Sequence, residues 1–217
     1  MSNDNELKTA VLAELKWEPS IYAAHIGVTA RDGVITLMGH VTSYSQKHAA
    51  ETAVGRVKGV KAVAEELEVR LPFDSKHGDE EIATAAINRL AWNSSVPKDA
   101  IKVKVQQGWI TLSGVVEWSY QKFAAVQDLR WLLGVVGVSN EVTIKPRVNA
   151  SEISDDISDA LNRSWLFNDP QTVFVSAVGG KVKLTGHVDT WADRQTAANT
   201  AWAAPGAISV QNDIHVN

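Results

Sequence analysis

No cysteine occurs among the 217 residues, which excludes disulfides, thiolate zinc sites and thiol nucleophiles. No run of about 18 apolar residues occurs either, so no transmembrane helix is expected. Basic charge is not in excess: 21 Lys and Arg stand against 25 Asp and Glu, a net charge of −4. A mildly acidic chain has no overall field to gather nucleic acid, so no DNA or RNA partner is expected. The opening Met1-Ser2-Asn3-Asp4-Asn5-Glu6 has no basic n-region and no apolar h-region. That reads as a cytoplasmic protein, at most peripheral at the inner membrane.

What is present is repetition. Gly33-Val34-Ile35-Thr36-Leu37-Met38-Gly39, Gly108-Trp109-Ile110-Thr111-Leu112-Ser113-Gly114 and Gly180-Lys181-Val182-Lys183-Leu184-Thr185-Gly186 align with one another. Another glycine follows each block after 20 residues, at Gly59, Gly134 and Gly206. Apolar blocks Val63–Val69, Val138–Ile144 and Val210–Val216 close the units. A tryptophan precedes each first glycine by 16, 16 and 15 residues: Trp17, Trp92 and Trp165. Fixed spacing over this many positions is the signature of tandem modules. Their bounds are 4–70, 79–145 and 152–217, with polar linkers between them.

Each module opens with a helical stripe: Leu7/Val11/Leu15, Ile82/Ala86/Leu90 and Ile153/Ile157/Leu161. Apolar residues every fourth position make one buried face. Ser151, Ser154 and Asp155 suit a capped helix start. Ile101, Val103 and Val105 alternate with Lys102 and Lys104, then Ile110 and Leu112 with Trp109 and Thr111. Period two predicts a hairpin, with the glycine freeing the turn. In the expected register Val105 faces Ile110, Lys104 faces Thr111, Ala30 faces Ile35 and Ala177 faces Val182. A second, alanine-rich helix is expected over 43–58, 119–133 and 192–203, followed by the last strand. The fold class is α+β: three αββαβ modules, each a three-stranded sheet with two helices on one face. Gly33, Gly39, Gly59, Gly108, Gly114, Gly134, Gly180, Gly186 and Gly206 are structural residues. The recurrent Trp17, Trp92 and Trp165 are expected to pack in the core or at helix ends.

The pattern Gly-x-Val/Ile-x-Leu-x-Gly-x-Val, then spaced alanines, then Gly-Val-x-x-Val-x-Asn-x-hydrophobic resembles the BON domain, named for bacterial osmotic-shock and nodulation proteins. It reads as Gly33 to Val41 with Ala49, Ala53, Gly59, Val60 and Val63; as Gly108 to Val116 with Ala124, Gly134, Val135, Val138 and Asn140; and as Gly180 to Val188 with Ala197, Gly206, Val210 and Asn212. Glu65 stands where the family usually has Asn, and Ala207 follows the last glycine. The third copy also lacks one residue before its first strand. The resemblance implies a binding module without a family active site, often for phospholipid surfaces and found in stress-induced envelope proteins. Cytoplasmic relatives that join one such module to a LysM domain sense an ion.

Function must therefore be sought where the copies differ. His25, His40, His48, His77, His187 and His215 have no acidic or histidine partners at ligand spacing, so neither catalysis, a metal site nor a cofactor is expected. The acidic run Glu152, Asp155, Asp156 and Asp159 reads as the solvated start of a helix. Trp109 is different: it takes the place of Val34 and Lys181, on the sheet face away from the helices. Lys102, Lys104 and Thr111 share that face, and the equivalent face of the third module carries Phe174, Lys181 and Lys183. Aromatic rings among lysines suit an anionic phospholipid surface. The competing reading packs this face against a neighbouring module. Residues 79–145 hold seven basic and seven acidic residues, which favours the second module for an anionic ligand. Trp118 and Trp131 are candidate contacts of a homo-oligomer, a ring or pore-like assembly serving solute passage. Small-ion sensing is the third reading.

Overall fold

The hairpin turns are the most tightly specified part of each module. Asp32-Gly33, Gln107-Gly108 and Gly179-Gly180 all have positive φ at both residues, from 51° to 84°. Two such residues form the type I′ turn whose twist suits two-residue hairpins, and glycine takes that conformation without steric cost. The computed structural model describes residues 2–145, 153–163 and 172–216. The first module is α1 (Ser2–Trp17), β1 (Ile26–Arg31), β2 (Val34–Val41), α2 (Tyr44–Gly55) and β3 (Ala62–Val69). The second is α3 (Asp79–Trp92), β4 (Ile101–Gln106), β5 (Trp109–Val116), α4 (Ser119–Leu129) and β6 (Gly137–Ile144). The third is α5 (Ile153–Asn162), β7 (Val173–Val178), β8 (Lys181–Val188), α6 (Trp191–Ala203) and β9 (Ser209–Val216).

Each sheet has its hairpin strands antiparallel and its last strand parallel to the middle one. The helical crossover α2, α4 or α6 supplies the parallel return. Ala30 faces Ile35, Val105 faces Ile110, Lys104 faces Thr111 and Ala177 faces Val182, as the alternation predicts. The helical stripes Leu7/Val11/Leu15, Ile82/Ala86/Leu90 and Ile153/Ile157/Leu161 are buried against their own sheets. In the first two modules the hairpin turn is also tied to the first helix. Asp79 accepts backbone hydrogen bonds from Gln107 and Gly108, both 2.8 Å, and Asp4 accepts one from Asp32 at 3.0 Å.

Three expectations need correction. Trp17 and Trp92 are not packed: they are 82% and 90% exposed. Each lies two residues beyond the last stripe residue, Leu15 or Leu90, and two residues turn a helix by about 200°. Both rings therefore leave the buried face, whereas Trp165 lies outside the described residues, as do the expected cap Ser151 and the acidic Glu152. Next, α4 ends at Leu129 rather than Leu133, and Trp131 sits in the turns beyond it. Last, the helix-free sheet faces do not pack on neighbouring modules: Lys102, Lys104, Phe174 and Lys181 are exposed.

The modules meet instead through their second helices. Tyr44 packs on the core of the second module, where its phenol and His48 lie beside Arg130. Burial and that guanidinium hold the His48 imidazole below its usual pKa. Ser119 Oγ donates to the Trp202 carbonyl, and Phe123 meets the Trp202 ring edge-on at 5.6 Å between centroids. The Trp191 ring lies against Gly55 so closely that a Cβ there would come within 2.8 Å of its Cδ1. The helices thus form the centre, and the sheets turn their open faces outward.

The Asn of the closing strand pins that strand to the second helix. Asn140 Nδ2 donates to the Lys122 carbonyl at 3.0 Å while Val142 N donates to Asn140 Oδ1 at 3.2 Å. Asn212 repeats this with Arg194 and Ile214. Glu65 keeps the strand bond, from Leu67 N at 2.8 Å, and replaces the other with an ion pair to Lys47 at 2.9 Å. The departure from the family pattern is therefore compensated, by the residue 18 positions upstream in every copy.

Gly39, Gly114 and Gly186 have φ of 111°, 138° and 125°. A Cβ on them would strike the carbonyl oxygen of His25, Ala100 and Thr172 respectively. Gly114→Ala is therefore expected to cost about 3 kcal/mol or more, from strained backbone plus displacement of β4. Asn140→Ala should cost about 1–2 kcal/mol by removing both bonds of the pin. Urea midpoints at constant m-value check both.

Candidate functional site

The open face of the second module is built row by row from its register. Gln106, Trp109 and Gly137 lie side by side, then Lys104, Thr111 and Ser139, then Lys102, Ser113 and Glu141. Alternation places all nine on the face opposite the buried Ile110 and Leu112. Trp109 is 46% exposed. Its ring lies over Gly137, where a Cβ would overlap it, and its Nε1–H donates to Ser139 Oγ at 2.9 Å. The first and third modules have Ala62 and Ser209 where this one has Gly137. A glycine in the neighbouring strand thus makes room for the one large aromatic ring on this face. Neither Lys102 nor Lys104 has a carboxylate within 4 Å among the described residues. Both ammonium groups are free to meet an anion.

The equivalent faces differ in chemistry. That of the first module presents Val34, Met38, Ala62 and Ala64 at its centre, with Thr29 and Thr36 beside them and one charge at each end, Arg31 and Glu66. The third places Phe174 beside Thr185 and Asp213, with Lys183 beside Ser176. Phe174 is 66% exposed, but Lys183 is held by Asp213 at 3.4 Å. Lys181 is exposed at the turn. The face of the second module is the one with two free lysines.

Sequence reasoning missed the edge beside that face. Between α3, the loop at 93–100 and the edge strand β4 lies a hollow of about 220 Å³. Ile87, Leu90, Ala91, Val96, Pro97 and Ile101 make it apolar, and Lys98 and Asp99 stand in its wall. Trp92 ends α3 where that loop begins, and Lys102 follows it on β4. One edge therefore carries an exposed indole, an apolar hollow and two basic side chains, Lys98 and Lys102, with Asp99 between them in sequence. The signal was in the sequence: Ile87 and Trp92 repeat Leu12 and Trp17, outside the stripe that becomes buried.

The other candidates separate. Trp118 is half-buried at the start of α4, where the sister modules have Ser43 and Thr190 as helix caps. There Gln121 reaches back to the Glu117 and Trp118 N–H groups, both at 3.0 Å. Trp131 is 63% exposed beyond α4. His40 stacks on His25 with centroids 4.6 Å apart, and His187 lies 5.7 Å from His215. Among the described residues no group of three or more His, Asp or Glu side chains is placed to hold a metal ion. Asp155 and Asp156 occupy the first turn of α5 and are exposed. Among the described residues no helix is long and apolar enough to cross a membrane.

The profile of the BON domain matches residues 3–70, 78–146 and 149–217. The chain belongs to the BON domain family. It is 29% identical over 150 residues to osmotically-inducible protein Y of Escherichia coli strain K12, across 66% of this chain and 73% of that protein. Two solved structures of CdsD, a structural protein of the type III secretion system of Chlamydia trachomatis, align over 98% of this chain and 92% or 98% of theirs. Their identities are 20% and 19%, with a TM-score of 0.26 in both cases.

The contact between Trp109 and Gly137 has a direct test. Gly137→Ala should lift the ring off β6 and break its bond to Ser139, so the Trp109 indole N–H should exchange with solvent several-fold faster. Nuclear magnetic resonance of the indole N–H signals reads this; an unchanged exchange rate would contradict the packing described.

Proposed function

We propose that this BON protein is a non-enzymatic binding protein that docks on anionic phospholipid surfaces under osmotic or envelope stress, through its second module. The carrying observation is the almost fully exposed Trp92 beside the apolar hollow, on the edge that leads to Lys102. A wholly exposed indole gains most where its ring can enter the headgroup zone while lysines nearby meet phosphates. Lys102, Lys104, Trp109 and Thr111 supply the adjoining face. Phe174, Lys181 and Lys183 offer a weaker copy in the third module, because Lys183 is already paired. The stress setting is supported by the likeness to an osmotically inducible protein.

Co-sedimentation with phosphatidylglycerol vesicles, against phosphatidylcholine alone, tests this reading. Binding should require the anionic lipid and weaken as salt is raised. Each lysine near such a surface is worth about 1 kcal/mol, so Lys102→Glu/Lys104→Glu should weaken binding about thirtyfold or more. Trp92→Ala should weaken it independently of salt. Binding indifferent to all three side chains would refute the proposal.

A further inference from the structure

Counted from the second glycine of each hairpin, the residues that join the modules occupy the same two positions. Tyr44, Ser119 and Trp191 are each five residues beyond it, at the start of the second helix. Gly55, Arg130 and Trp202 are each 16 residues beyond it, at or near that helix's other end. The start of the second helix meets the next module in each case: Tyr44 packs on the second module's core, Ser119 bonds to Trp202, and Trp191 lies on Gly55. One contact, start of helix to end of the next, is thus made three times, from first module to second, second to third, and third back to first. Phe123, four residues beyond Ser119, meets the same Trp202, and His48, four residues beyond Tyr44, lies within electrostatic reach of Arg130.

Head-to-tail contacts of this kind close into a ring when their rotation allows it and otherwise run on from molecule to molecule. Here closure is reached within one chain. Two of the pairs are matched in size: Trp191 faces a glycine and Ser119 faces a tryptophan. At the remaining seam Arg130 has its Nε buried without a hydrogen-bond partner among the described residues. Setting Trp191 against Trp202 would bring two large side chains together, and setting Ser119 against Gly55 would leave a void, both destabilising.

The third seam stands apart. The first two join modules adjacent in sequence, whereas Trp191 and Gly55 are 136 residues apart. The nearest side-chain atoms that a Gly55 Cβ would meet belong to Trp191.

We infer that the Trp191–Gly55 contact is the closure that keeps a ring-forming surface satisfied within one chain, and that the partner this surface takes once opened is a second copy of the chain. The freed start of α6 and the freed end of α2 are complementary to each other. Intermolecular pairing is the way both can be covered again, at concentrations where it overcomes the loss of intramolecular proximity.

Gly55→Trp tests this, together with Gly55→Trp/Trp191→Ser, which installs the serine–tryptophan pair of the second seam at the third. The wild type is expected at the 23.5 kDa of one chain, by light scattering. The single variant should show a larger radius of gyration when dilute, and masses of two or more chains as concentration rises. The double variant should return to the radius and mass of the wild type. A single variant with wild-type radius and mass at every concentration overturns the inference. So does a double variant that behaves like the single one. Amide signals of Val11, Ile35 and Leu37 report the first module's core; their loss in both variants would assign the effect to misfolding and also overturn it.

Discussion

In every module the carbonyl just before the first strand presses on a glycine of the middle strand: His25 on Gly39, Ala100 on Gly114, Thr172 on Gly186. Because no Cβ intervenes, the two hairpin strands stay paired as far as that glycine. Five residues later the second helix begins. The angle at which that helix leaves the sheet decides where Tyr44, Ser119 and Trp191 arrive, and so whether three modules can meet end to end. Strand pairing, helix placement and the joining of modules all follow from one close backbone approach repeated three times.

Much of this was legible in the chain. Hairpin registers, buried stripes and the parallel return follow from periods of two and four and from glycine spacing, since local geometry leaves little choice. Two things were not. Recurrence of Trp17 and Trp92 suggested a shared packed site, but recurrence only shows a shared environment, and a helix end in solvent is one such environment. The seams were hidden for the opposite reason. Comparing copies rewards sameness, while Tyr44, Ser119 and Trp191 differ, as do Gly55, Arg130 and Trp202. Their differences are complementary across modules, and that appears only once the modules are seen together.

The candidate surface was partly legible on the same grounds. Trp109 was recognisable as the odd residue at a position held by Val34 and Lys181, and Lys102 and Lys104 as its neighbours. Its accommodation by Gly137 was not, because the two lie on different strands with a helix between them. The hollow beside Trp92 depends on how the loop at 93–100 folds against α3, which no periodicity encodes. Repetition thus fixes the scaffold, and the surface chemistry is written in departures from it.

One such departure has an effect on the whole chain. The pin between closing strand and second helix is a neutral amide in Asn140 and Asn212 but a pair of opposite charges, Glu65 and Lys47, in the first module. Coulomb attraction between partly exposed charges fades as ionic strength rises, whereas amide hydrogen bonds are largely indifferent to it. The three copies therefore share one architecture without sharing one tolerance of salt, and the first module is the copy whose strand-to-helix join loosens earliest in brine.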